Sequence, residues 1–295
     1  MSAVVEDARS QAGEKRSKAG SLRNSETKPS WAKRVVLPVA LVIVLILLWQ
    51  AGTMVMPSPF FPQPFKIFFS MRTMFFSGPP EQLFMTNLMI ESGLTTLSRT
   101  LIGFLLGAGA GIVLGIFTGL SRLFRETTSP VVEFLRSVPA AATLPLFIIL
   151  LGGEDGMRIA FIAFGVVWFV LIDTAHGVES IHPTQLMVGR TFRLSRTRQV
   201  FSIILPSALP QMFAGLRIAL TASLIFAIIS EFMVATNGIG YELILTQARF
   251  QFLSMWSWFI LLAILGLVLN VLLEIIEDRV LRWHRLFRNV GTDSL

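Results

Sequence analysis

Residues 100–120 read TLIGFLLGAGAGIVLGIFTGL, a stretch without a single charged side chain. At 1.5 Å per residue a helix of that length crosses a hydrocarbon core of about 30 Å. A helix also pairs its own N–H and C=O groups where no water can do so. Gly103, Gly107, Gly111, Gly115 and Gly119 recur at a spacing of four, with Gly109 between them. Each glycine would weaken a soluble helix by up to about 1 kcal/mol, so the repeat points to close approach of another helix over small side chains. Gly107, Gly111, Gly115 and Gly119 are the packing candidates. A step of four on a 3.6-residue period drifts by about 40°, which predicts a stripe that wraps around the helix and serves two neighbours.

Further apolar runs occupy 35–56, 131–151, 157–175, 210–236 and 255–278. With the first they make six expected spans and an all-α, polytopic membrane protein. The composition agrees: 53% hydrophobic, 15% charged and a mean hydropathy of +0.69 lie far from soluble chains. Between 57 and 98, Pro57, Pro59, Pro62, Pro64, Pro79 and Pro80 punctuate pieces too short to span, expected as interfacial helices with phenylalanine rings at headgroup level. Residues 1–33, rich in Ser, Lys, Arg and Glu, are expected as a disordered cytoplasmic tail. The first apolar run comes too late and is too long for a cleavable signal peptide. The membrane domain is thus expected at 34–288, with a short tail at 289–295.

The 25 Lys and Arg exceed the 18 Asp and Glu by seven, and their placement gives an orientation. Arg9, Lys15, Arg16, Lys18, Arg23, Lys28, Lys33 and Arg34 fill the tail. Arg122 and Arg125, then Arg190, Arg193, Arg196 and Arg198, then Arg279, Arg282, Arg285 and Arg288 fill every second connection after it. Basic short loops stay in the cytoplasm, so both termini are expected inside and the net charge is chiefly a topology signal.

Several chemistries are excluded. Cysteine is absent, and His176, His182 and His284 have no metal-ligand spacing, so no metal site is expected. No GxxxxGK[ST] loop exists and no lysine follows Lys66, so the chain carries no P-loop for ATP. A nucleic-acid role would need a basic, aromatic-studded soluble face, and none is present.

Pro139 and Pro145 interrupt RSVPAAATLPL at 136–146. Each removes a helical donor at membrane depth, which makes the segment either a packing kink or part of a translocation pathway. Arg217 and Glu231 are the ionisable pathway candidates within the fifth apolar run. Glu133 with Arg136, and Asp173 with His176, have the spacing of structural pairs. The segment 179–206 is too polar to span: Leu186, Val188, Phe192, Leu194, Val200 and Ile204 alternate with its arginines. It is expected as an amphipathic cytoplasmic element, held either by anionic lipid or by a protein partner.

The stretches LPSALPQMFAGLRIAL (205–220), SEFM (230–233) and NGIGY (237–241) resemble the permease subunit of ATP-binding-cassette importers, in the nitrate, sulfonate and taurine branch. Ser58 and Pro59, GIFTGLS (115–121) and LRSVPAAATLPLF (135–147) extend the resemblance over roughly 35–288. It implies a bacterial inner-membrane permease that works by alternating access as a homodimer, with a cytoplasmic ATPase and an external solute-binding protein. ATP and Mg would belong to the ATPase and no cofactor to this chain. In such permeases the loop before Leu-Pro carries Glu-Ala-Ala, three residues and Gly, and docks in a groove of the ATPase. Counted back from Leu205 and Pro206, those positions fall on Met187, Val188, Gly189 and Arg193, with Arg190, Thr191, Phe192, Leu194 and Ser195 completing the loop. The acidic residue and the glycine are both replaced. An ion-coupled secondary transporter is the alternative; it predicts paired intramembrane carboxylates and two similar halves, and the sequence has neither.

Overall fold

The computed structural model describes residues 31–282. Of the tails expected at 1–33 and 289–295, residues 1–30 and 289–295 lie outside the described residues, and 31–33 belong to a helix. The chain divides into two units, 1–56 and 57–295. In the first, helix α1 (Trp31–Val55) starts ahead of the expected boundary and presents an almost wholly exposed apolar surface.

The second unit opens with α2 (Pro64–Phe75), whose Pro64 sits in the first turn, where no helical N–H is needed. Phe75 is buried against Trp258, ring centres 4.6 Å apart, while Phe65 and Phe68 stay exposed. A π turn (Met89–Leu94) runs into α3 (Thr95–Leu120), which lies along α6 (Asp155–Glu179). A Cβ on Gly107 would lie 2.5 Å from the Ala163 carbonyl oxygen, one on Gly111 2.8 Å from that of Val167, and one on Gly115 2.6 Å from that of Leu171. On Gly103 and Gly119 it would meet the side chains of Ile162 and Val178, both at 2.6 Å. All five rungs therefore face one helix, not two. A contact repeat longer than 3.6 residues is kept in register when two helices wrap in the right-handed sense, so the drift that suggested a second neighbour is absorbed by the pair.

Helix α9 (Leu205–Val234) covers another side of α6. Gly165 admits the Phe226 ring and Gly215 admits Asp173. Phe104, Ile162, Val166, Val170, Phe213, Leu220 and Leu224 form the core among these three helices. Where lipid is as apolar as leucine, such contacts gain from close fit rather than from leaving water. Helices α10 (Ile239–Ala248) and α11 (Phe252–Val280) complete this unit's described part.

The expected straight span at 131–151 is not formed. Helix α4 (Arg122–Ser137) ends at an extended Val138, a 3₁₀ turn follows at Ala140–Thr143, and α5 (Leu144–Leu151) leaves at 85° to α4. Pro139 disfavours helical backbone in the residue before it, whereas Pro145 sits harmlessly in the first turn of α5. Five described helices are long and apolar enough to cross a membrane, or six if the bent pair counts as one span. Neither Glu133 with Arg136 nor Asp173 with His176 is among the ion pairs of the described residues; Asp173 accepts the Gln211 amide at 3.1 Å, and the charged contact between α4 and α6 is that of Arg125 with Glu179.

Candidate coupling loop and buried charge network

Beyond α6, the chain forms α7 (Pro183–Thr191), a tight turn, α8 (Arg196–Gln199) and a π turn (Val200–Ile204) leading into α9. Arg193 has φ of 47°, in the left-handed region. The Phe192 N–H donates to the Val188 carbonyl and the Leu194 N–H to the Gly189 carbonyl, both at 3.0 Å. This is the closure that ends helices at a left-handed residue, a position glycine normally fills. The Ser195 hydroxyl then accepts the Arg198 N–H at the start of α8, and Gln199 Nε2 donates to the Leu194 carbonyl. Gly189 is buried, and a Cβ there would lie 2.9 Å from Ile203 Cδ1; a small residue is what lets α7 settle on the following turn.

The base of this loop is anchored by Val178, Ile181, Ile204, Ala208 and Met212, with Leu205 and Pro206 opening α9. Its outer face is apolar and basic. Phe192 is 73% exposed, Met187 and Val188 are exposed, and so are Arg193, Arg196 and Arg198. No Asp or Glu occurs from 180 to 230.

The four pathway candidates do not converge. Pro139 lines an apolar cleft of about 490 Å³ with Phe164, Trp168, Ile225 and Ile229. Pro145 is not among that cleft's lining residues. Arg217 bonds Glu277 of α11 at 2.6 Å.

Glu231 belongs to a buried charge network at the opposite end of α6, which at 25 residues spans about 37 Å. Its carboxylate accepts Arg99 Nη1 at 2.8 Å and the Gly240 N–H at 2.9 Å, and the Thr96 hydroxyl lies 2.9 Å from both oxygens. Arg99 uses all five of its N–H groups: two bonds reach Asp155 Oδ1, one Glu231, and two the side chain and backbone oxygens of Asn237. Arg158 adds bonds to Asp155 Oδ1 and to the Val234 carbonyl. Such charges are tolerated in a core because each is paired with an opposite charge and held by hydrogen bonds.

The network also explains NGIGY. Gly238 has φ of 115°, and a Cβ there would lie 2.4 Å from Glu231 Cδ; on Gly240 it would lie 2.8 Å from Glu231 Cβ and 2.9 Å from the Ile228 carbonyl. Only glycine lets the loop backbone close over the carboxylate. Nearby Glu242, outside the spans, has its carboxyl pushed up by burial, against the opposing pull of Ser92 and Arg249. Arg99, Asp155, Arg158 and Asn237 were not among the sequence candidates; the signal was four polar residues at the same ends of different apolar runs.

The described residues of the second unit thus form a helical bundle broken at Pro139, with a two-helix loop between α6 and α9. The chain belongs to the family described as binding-protein-dependent transport system inner membrane component, which matches residues 111–285. It is thus a multi-pass membrane transport subunit, and the ion-coupled alternative falls. It is 29% identical over 256 residues to the permease protein SsuC of Bacillus subtilis (strain 168), covering 86% of this chain and 88% of SsuC. It is 28% identical to the taurine transport system permease protein TauC of Escherichia coli (strain K12), covering 89% and 96%. The nitrate import permease protein NrtB of Synechococcus elongatus is 29% identical, covering 75% and 77%. A solved bacterial ABC transporter involved in import of the acidic polysaccharide alginate shares the fold, with a TM-score of 0.58 at 18% identity, covering 84% of this chain and 97% of that one.

Proposed function

We propose that the chain is the permease of an ATP-driven importer of a small oxyanion, docking through residues 183–204 on a cytoplasmic ATPase and receiving solute from an external binding protein. The observation that carries this reading is the projecting loop, with a rigid apolar base and an exposed face of Met187, Val188, Phe192 and Arg193. The basic connections, Arg122 and Arg125 with those of this loop, put that end in the cytoplasm. The solute class follows the relatives, whose names carry taurine, an aminosulfonate, and nitrate. Two copies would enclose the pathway, and closure of the ATP-bound partners would switch it between inward and outward access, each ligand favouring the state it binds better. ATP and Mg would be held by the partner.

Arg193 provides the test. Its left-handed backbone costs a side-chain-bearing residue about 1–2 kcal/mol, which the guanidinium recovers on a partner carboxylate. Arg193→Gly therefore relaxes the turn and leaves the permease at least as heat-stable as the parent, yet lowers co-purification with the ATPase and ATP-driven uptake of taurine or nitrate in proteoliposomes. Arg193→Glu lowers both further, and Arg193→Lys lies between. Parent-like assembly and uptake in both the glycine and glutamate variants would remove Arg193 from the docking surface.

A further inference from the structure

The end of the bundle far from the loop carries an arrangement that packing alone does not require. Arg99 and Arg158 have side chains only 3% and 5% exposed, and both aim at one oxygen of a carboxylate that is 57% exposed. Asp155 Oδ1 lies 3.0 Å from Arg99 Nε, 2.6 Å from Arg99 Nη2 and 2.7 Å from Arg158 Nη1. Arg158 Nε is buried with no hydrogen-bond partner. Two planar guanidinium groups converging on one point form a receptor geometry for carboxylates and similar oxyanions.

The three charges that remain without Asp155 are those of Arg99, Arg158 and Glu231, a sum of +1 suited to a monoanion. Arg99 would keep its bonds to Glu231 and Asn237, and Arg158 its bond to the Val234 carbonyl, so both forks stay in place. Asp155 is the first residue of α6, within Gly152-Gly153-Glu154-Asp155-Gly156. Gly152 has φ of 78°, and Gly152 and Gly156 have open space where a side chain would be.

We propose that Arg99 and Arg158 form a binding site for a small oxyanion at this end of the bundle, which the Asp155 carboxylate occupies in the resting chain and yields to an incoming anion. The aspartate is a built-in stand-in that keeps two buried cations paired when no anion is present. The proposal rests on the importer reading only for the choice of anions.

The test uses the full-length chain purified in detergent, with methanesulfonate or nitrate titrated against chloride at constant ionic strength and thermal unfolding as the readout. Asp155→Ala is expected to show a saturable rise in melting temperature, half-maximal at a concentration about ten-fold or more below that of the parent, whose own carboxylate competes at high effective concentration. Adding Arg158→Gln to that variant abolishes the rise. Asp155→Asn, which keeps the shape and loses the charge, carries the same test if the alanine variant does not accumulate. No saturable rise in either Asp155 variant, or one that survives Arg158→Gln, overturns the site. A rise with phosphatidylglycerol but not with methanesulfonate or nitrate assigns the arginines to a lipid phosphate and overturns it equally. Because no ATPase is present, failure of the docking reading in uptake assays leaves this result unaffected.

Discussion

Gly111→Leu is expected to leave almost no folded protein in the membrane. Its first added carbon would lie 2.8 Å from the Val167 carbonyl oxygen and 3.1 Å from the Leu171 nitrogen. Both are backbone atoms that no rotamer change can move. Overfilling a well-packed site costs about 1–3 kcal/mol when side chains can yield, and here they cannot, so the cost exceeds the top of that range. Gly115→Leu meets the Leu171 carbonyl at 2.6 Å and is expected to behave alike. Gly109 has nothing within 4 Å of its missing side chain, so Gly109→Leu serves as the control and should accumulate normally. The measurement is the monodisperse yield and melting temperature of the three variants in detergent. Parent-like values for Gly111→Leu would mean that α3 and α6 do not meet through their backbones.

The second large effect is expected at Glu231, which is 1% exposed. Glu231→Gln keeps the shape but places an amide where Arg99, the Gly240 N–H and the Thr96 hydroxyl all approach. One oxygen cannot serve them all, and a donor is left facing a donor. Breaking a buried pair by removing one charge costs about 3–5 kcal/mol. Arg99→Gln should cost a similar amount. The double variant should lose less than the two single losses combined, because neither charge is then stranded. A double-mutant cycle in thermal or denaturant unfolding measures this, and a coupling near zero would show that the two groups contribute independently.

The apolar runs were legible because a membrane span must be long, uncharged and helical at once. The break at Val138 was harder to see: residues 131–151 stay apolar through it, and hydropathy carries no information about direction. Pro139 and Pro145 look equivalent in the sequence, yet one ends a helix and the other begins one. The glycine spacing was visible, but a straight-helix projection could not tell that a wrapped pair keeps every rung on one neighbour. Glu231 stood out as a lone carboxylate in an apolar run. Its partners did not, since Arg99 is 132 residues away and Asp155 is 56 residues from Arg99; only the parallel run of α3 and α6, with α9 antiparallel to both, brings them together. In the loop, the replacement at Arg193 was plain, whereas its retained left-handed backbone depends on the bond from Leu194 to Gly189.

The glycine ladder has a mechanical consequence. Two helices that meet at five successive glycines, backbone to backbone at Gly107, Gly111 and Gly115, resist sliding past each other and bending separately. They make a stiff lever about 37 Å long, with Glu179 beside the projecting loop at one end and Asp155 at the other. Each 10° of tilt applied at the loop would carry the Asp155 end through about 6 Å, more than one turn of helix.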